Sequence, residues 1–136
     1  MFKFKNLYFK NKYLLVSWTI FVFVLIAWPM QNYKGDVITF YDKIVHALLF
    51  GTFYYLLFIF LRENKKLVYY KIFLISFAVS VLYSAFGEFI QNYVPGRTVS
   101  EYDFFAGVAG IFLTSIITYV QFRKYEVPRG YKSPRE

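Results

Sequence analysis

The chain has 136 residues, room for one domain, and is 58% hydrophobic with only 18% charged residues, a balance more apolar than that of a soluble domain. It has no cysteine and a single histidine, which excludes disulfides, thiol nucleophiles, thiolate metal sites and a multi-histidine metal site within one chain. The net charge of +8 would suit nucleic acid, so its meaning depends on where the basic residues sit.

Residues 1–12 form a polar, basic start with Lys3, Lys5, Lys10 and Lys12. Residues 13–30 are then apolar apart from Ser17 and Thr19, close to the roughly 20 residues that cross a bilayer. A signal peptide would share this pattern. No small-x-small cleavage site follows, however, and the run closes on Trp28-Pro29-Met30, so a retained first transmembrane helix is expected. A polar connection carrying Lys34, Gly35 and Asp36 leads to a second apolar run, 44–61, entered through Asp42, Lys43 and His46. Asp42 stands where an N-cap would accept backbone N–H groups and where a negative charge suits the helix dipole.

Arg62, Glu63, Asn64, Lys65 and Lys66 stop that run. The third, 69–93, has Lys71 near its start and Glu88 and Gln91 near its end. After a Pro95-Gly96 turn, Ser100 or Asp103 is expected to cap a fourth run, 104–120. Residues 121–136 make a basic tail with Pro128, Gly130 and Pro134.

Four continuous apolar runs joined by short loops predict an all-α membrane protein, an antiparallel bundle of four transmembrane helices over residues 13–120. Only helices and closed barrels satisfy their backbone in lipid, and a barrel strand would alternate. Thirteen of the sixteen Lys and Arg residues fall in the N-terminal segment, the loop between the second and third runs with Lys71, and the tail. Both termini are therefore expected in the cytoplasm, with the protein a multi-pass component of the bacterial cytoplasmic membrane. That spread over three segments also removes the nucleic-acid reading.

With this topology five of the eight carboxylates, Asp36, Asp42, Glu88, Glu101 and Asp103, lie on the outer side. Asp42 and His46 are four residues apart on one helix face, and Glu88 and Gln91 are three apart on another. Three helix ends can thus bring Asp42, His46, Glu88, Gln91, Arg97 and Asp103 around one outward-facing polar cup. Ala106 and Gly110, with Gly107 between them, form a small-xxx-small face that lets a neighbouring helix approach.

Each cup residue has a structural reading beside its functional one. Glu88, an ionisable residue inside a span, is a site candidate by default, or else it locks the helix ends by pairing with His46 or Arg97. Gln91 orients Glu88 or makes a helix-end hydrogen bond. His46 is a proton carrier, a headgroup contact or a satisfied helix-start residue. Asp42 and Asp103 are caps or ligand contacts. Arg97 can clamp a phosphate or carboxylate with two parallel hydrogen bonds, or form a loop salt bridge to Glu101 or Asp103.

Read together, Asp42-Lys43-x-x-His46, Glu88-x-x-Gln91, Pro95-Gly96-Arg97 and Asp103-x-x-Ala106-x-x-x-Gly110 resemble the VanZ-like family of small bacterial membrane proteins. The resemblance covers about residues 41–119, with the first helix where the family has its first span. The family usually has Asn where this chain has Gly107. The family is named for a member that gives low-level teicoplanin resistance, so the resemblance implies a role in the cell envelope or in glycopeptide susceptibility.

Three functions follow as expectations. The first is binding of a lipid or lipoglycopeptide headgroup at the outer leaflet by Asp42, His46, Glu88, Gln91, Arg97 and Asp103. The second is an intramembrane hydrolase or transferase acting on a lipid-linked phosphate or sugar, with Glu88, His46 and Arg97 as its acid–base and phosphate-binding groups. The third is an accessory subunit of a larger membrane complex. No nucleophile motif or phosphate loop supports catalysis. Asp42, Glu88 and Asp103 could hold a divalent cation through oxygen ligands, yet no motif supports that, and neither metal nor cofactor is expected. The expected partners are membrane lipids and a lipid-linked or glycopeptide ligand.

Overall fold

The computed structural model describes residues 2–29, 36–63, 67–97 and 100–122. The connection carrying Tyr33 and Lys34, the loop residues Asn64, Lys65 and Lys66, and the tail from Arg123 onward lie outside the described residues. Four helices run in chain order: α1 (Phe2–Ala27), α2 (Asp36–Arg62), α3 (Tyr69–Gln91) and α4 (Glu101–Phe122). The all-α bundle expected from the apolar runs is what forms.

Two of the helices start well before their apolar runs. α1 takes in the basic residues from Phe2 onward, and α2 begins at Asp36 rather than near Ile44. Nothing between Asp36 and Lys43 breaks a helix, so the chain turns helical as soon as it can, and apolarity sets in only afterwards. Asp42 is therefore two turns inside α2 and does not cap it. α4 begins after Ser100, whose carbonyl accepts from the N–H groups of Asp103 (2.9 Å) and Phe104 (3.5 Å). Asp103 is the third residue of the helix and not its cap. Between α3 and α4 the chain reverses at Gly96, whose φ of 82° would strain a residue with a side chain.

α2 and α3 each pack against all three other helices, whereas α1 and α4 make no contact with each other among the described residues. The most extensive pairing is α2 with α4, and its cause is visible in the glycines. A Cβ on Gly110 would run into the carbonyl oxygen of Ala47 and sit 2.6 Å from that residue's carbonyl carbon and Cα. A Cβ on Gly51 would lie 2.8 Å from Thr114 Oγ1 and 3.0 Å from the Gly110 carbonyl oxygen. The two backbones touch, as small residues permit at membrane helix crossings. The small face of α4 is thus built on Gly107 and Gly110, both buried, while Ala106 is only half-buried.

The core is aromatic on α2 and hydroxylic on α3 and α4. Phe50, Tyr54 and Phe58 are fully buried along α2, with Val22 and Ile26 from α1, Ile72 from α3 and Ile111 from α4. Ser76, Ser80 and Ser84, one turn apart, carry the buried face of α3, and Ser115 and Thr118 that of α4. Thr118 Oγ1 donates to the Tyr54 hydroxyl at 3.3 Å. Trp18 Nε1 donates to the Leu49 carbonyl at 3.1 Å and the Tyr83 hydroxyl to that of Thr19 at 2.8 Å, tying α1 to α2 and α3.

The outer surface inverts the usual pattern. Leu48, Leu82, Phe105 and Leu113 are each more than 60% exposed, and Leu74, Phe89, Phe112 and Val120 stand beside them. Apolar residues outside and serines inside describe a bundle whose solvent is lipid. Three helices are long and apolar enough to cross a membrane: Phe40–Arg62, Tyr69–Gln91 and Glu101–Phe122, with mean hydropathies of 2.1, 1.8 and 1.7. The apolar part of α1, Asn11–Ala27, has 17 residues. At 1.5 Å per residue it is about 25 Å long, the short end of what spans a bilayer.

Candidate functional site

The end of α1, the first turns of α2, the end of α3 and the start of α4 meet at one end of the bundle. Asn11 and Glu63, joined by a hydrogen bond, and Tyr69, which donates to the Thr118 carbonyl at 3.2 Å, mark the other end. The alternation of helix directions makes this convergence unavoidable once consecutive helices pack side by side.

His46 is the centre of the arrangement and is 4% exposed. Its Nδ1 lies 2.9 Å from the carbonyl oxygen of Asp42, one turn earlier, and 3.7 Å from Asp42 Oδ1. Its Nε2 faces α3 and lies 3.6 Å from Glu88 Oε1. Asp103 enters from α4, with atoms of Asp42, His46 and Asp103 all within 4.8 Å of one another. Gln91 is one turn beyond Glu88 on α3 and is 2% exposed. Of the six expected cup residues, the structure brings these five together.

Arg97 reaches the same place for a different reason. Its Nη2 donates to the Leu25 carbonyl at 2.8 Å and its Nε to the Trp28 carbonyl at 3.4 Å. Those carbonyls belong to the last turn of α1 and the residue just past it, where acceptors lack intrahelical donors and the helix dipole favours a cation. The loop salt bridge to Glu101 or Asp103 does not form among the described residues. Arg97 fastens α1 to the α3–α4 turn and also lines the recess below.

That recess has a volume of about 80 Å³ and opens to the surface. Leu25 and Ile26 of α1, Asp42, Val45, His46 and Leu49 of α2, Gln91 of α3 and Arg97 line it. One wall is hydrocarbon and the other holds a carboxylate, an imidazole, an amide and a guanidinium.

Three polar residues at this end of the bundle, of which Gln91 lines the recess, hold unsatisfied atoms. Both carboxylate oxygens of Glu88, Nε2 of Gln91 and Oδ1 of Asp103 are buried without a hydrogen-bond partner among the described residues. A buried polar atom without a partner costs roughly 1–3 kcal/mol. Four such atoms on three neighbouring residues are a concentration that folding alone gives no reason for. Ser84 Oγ, one turn below Glu88, is unpartnered as well.

Leu25, Ile26 and the serines of α3 were not singled out in sequence. Leu25 and Ile26 form the apolar wall, and nothing in an unbroken apolar run marks which residues do so. The serine file at 76, 80 and 84 was visible as a four-residue spacing that continues to Glu88. A Cβ at Gly107 would meet Ser84 Oγ at 2.6 Å and Phe50 Cδ2 at 2.9 Å, so a side chain at that position requires both to shift.

No family model, no curated protein and no solved structure matches the chain.

Proposed function

We propose that this chain is a VanZ-like protein of the bacterial cytoplasmic membrane that binds a lipid or lipoglycopeptide headgroup in the recess at the outer leaflet. The observation that carries this reading is a recess with one hydrocarbon wall and a polar wall that includes Gln91, whose buried Nε2 has no partner among the described residues, next to the likewise unpartnered carboxylates of Glu88 and Asp103. An amphipathic ligand suits both halves of such a site: its polar group supplies the missing hydrogen bonds while its apolar stem lies against Leu25, Ile26, Val45 and Leu49. Placement of the recess on the outer side, with both termini in the cytoplasm, is supported by the positive-inside distribution of lysine and arginine.

Through the resemblance in its motifs, this reading extends to envelope behaviour and glycopeptide susceptibility, teicoplanin included. The test is expression in a Gram-positive host with susceptibility and protein abundance measured together. Glu88→Gln abolishes the change in susceptibility that wild type produces and leaves abundance within about twofold, because the surface and the helix crossings are untouched. Equal loss of abundance and phenotype would assign Glu88 to holding the helices together instead. An unchanged phenotype in Glu88→Gln would remove the cup from the function.

A further inference from the structure

The residues around His46 have the chemistry of a cation site as well as the position of one. Ligands on a tetrahedral first-row cation stand about 3.3–3.6 Å apart, at bond lengths of about 2.0–2.2 Å. The ligand atoms of Asp42, His46 and Asp103 already lie within 4.8 Å of one another. Side-chain adjustment of less than about 1 Å would close them on one ion.

A cluster of acids alone would say little, but two further observations point to an occupant. Asp103 is 4% exposed and its Oδ1 has no partner, so this carboxylate is held out of water beside the other two groups with a lone pair unused. The second observation concerns the imidazole. With Nδ1 2.9 Å from the Asp42 carbonyl, the neutral ring carries its proton on Nδ1 and donates it there. Nε2 is left facing α3 and the Glu88 carboxylate, whose Oε1 is 3.6 Å away, beyond hydrogen-bond length. A ring fixed through one nitrogen by a backbone carbonyl and bare at the other is the arrangement of a metal-ligating histidine.

We propose that Asp42, His46 and Asp103 bind one divalent transition-metal ion of the Mn²⁺ or Zn²⁺ class, with Glu88 as an additional carboxylate ligand. The spacing of 3.6 Å between Nε2 and Glu88 Oε1 is that of neighbouring ligands on one ion. The imidazole favours a transition metal over Mg²⁺ or Ca²⁺, which prefer all-oxygen sets. A bound cation would also offset the negative charge of Asp42, Glu88 and Asp103, which is opposed by His46 and, from further out, by Lys43 and Arg97. The site goes beyond the headgroup reading and does not depend on it.

The test uses the full-length protein in detergent, stripped with EDTA and titrated with Mn²⁺ while the free ion is followed by electron paramagnetic resonance. Wild type binds one Mn²⁺ per chain, Zn²⁺ displaces it, and an equal concentration of Mg²⁺ does not. Since loss of an outer-shell partner already lowers metal affinity by about 10–100-fold, His46→Gln and Asp103→Asn each weaken binding at least about tenfold. Pulsed measurements on the wild-type complex show coupling to an imidazole nitrogen, an observation that stands even where a variant does not fold. Absence of a saturable site in wild type, affinity unchanged in both variants, or a bound Mn²⁺ without nitrogen coupling would each overturn the proposal. No lipid is added, so loss of metal binding and loss of headgroup binding are separable results.

Discussion

Gly110→Ala forces α2 and α4 apart and lowers stability by about 3 kcal/mol, the upper end of what overpacking costs. The added methyl meets the carbonyl oxygen, carbonyl carbon and Cα of Ala47, all backbone atoms, so no rotamer change relieves the contact. One helix must move, and α2 also carries Asp42 and His46, so the cup is displaced with it. Gly87→Ala is the control. Its Cβ would approach Ile26 Cδ1 at 2.9 Å and Phe50 Cζ at 3.3 Å, ends of side chains that can shift. Thermal unfolding in detergent should place Gly110→Ala well below wild type and Gly87→Ala close to it. Equal behaviour of the two would mean that α2 and α4 do not cross at Gly110.

The second large effect runs the other way. Glu88→Met raises stability by about 1–3 kcal/mol, the cost of leaving a buried polar group unpaired. Both oxygens of Glu88 are buried without partners, and the approach to His46 Nε2 is 3.6 Å, too long to recover a hydrogen bond. A thioether of similar length fills the same space without the desolvated carboxylate. Stabilisation on removing a polar group marks a residue kept for binding and not for folding. Thermal unfolding of wild type and Glu88→Met in the same detergent decides between these roles. A lowered melting temperature would show that Glu88 and His46 lock α3 to α2.

The number of helices and their order were legible because lipid demands long uninterrupted apolar runs, and such runs leave few alternatives. Where each helix begins was less legible. Apolarity reports the membrane, not the backbone, so Asp42 and Lys43 read as the edge of α2 although helix continues through them to Asp36. The convergence of Asp42, His46, Glu88, Gln91 and Asp103 was legible because short loops force adjacent helix ends together and the spacings 42/46 and 88/91 each share a face. The destination of Arg97 was not, since it depends on where α1 ends in space, a tertiary fact without local signature. Which small residues of α4 meet α2 likewise depends on the rotation of the helix. Gly107 and Gly110 do so and Ala106 is turned partly away, although 106 and 110 carry the recognisable spacing.

These features converge on one account: a lipid-embedded bundle that holds unsatisfied polar groups beside an amphipathic recess in order to take a ligand. Native mass spectrometry of the purified protein, incubated with a bacterial lipid extract, tests it most directly when wild type and Glu88→Gln are run side by side. The account predicts a defined lipid retained by wild type at one per chain and lost, or weakened at least about tenfold, in the variant, since the interaction removed is a charge-assisted one. Identical lipid retention by the two proteins, or none by wild type, would contradict it.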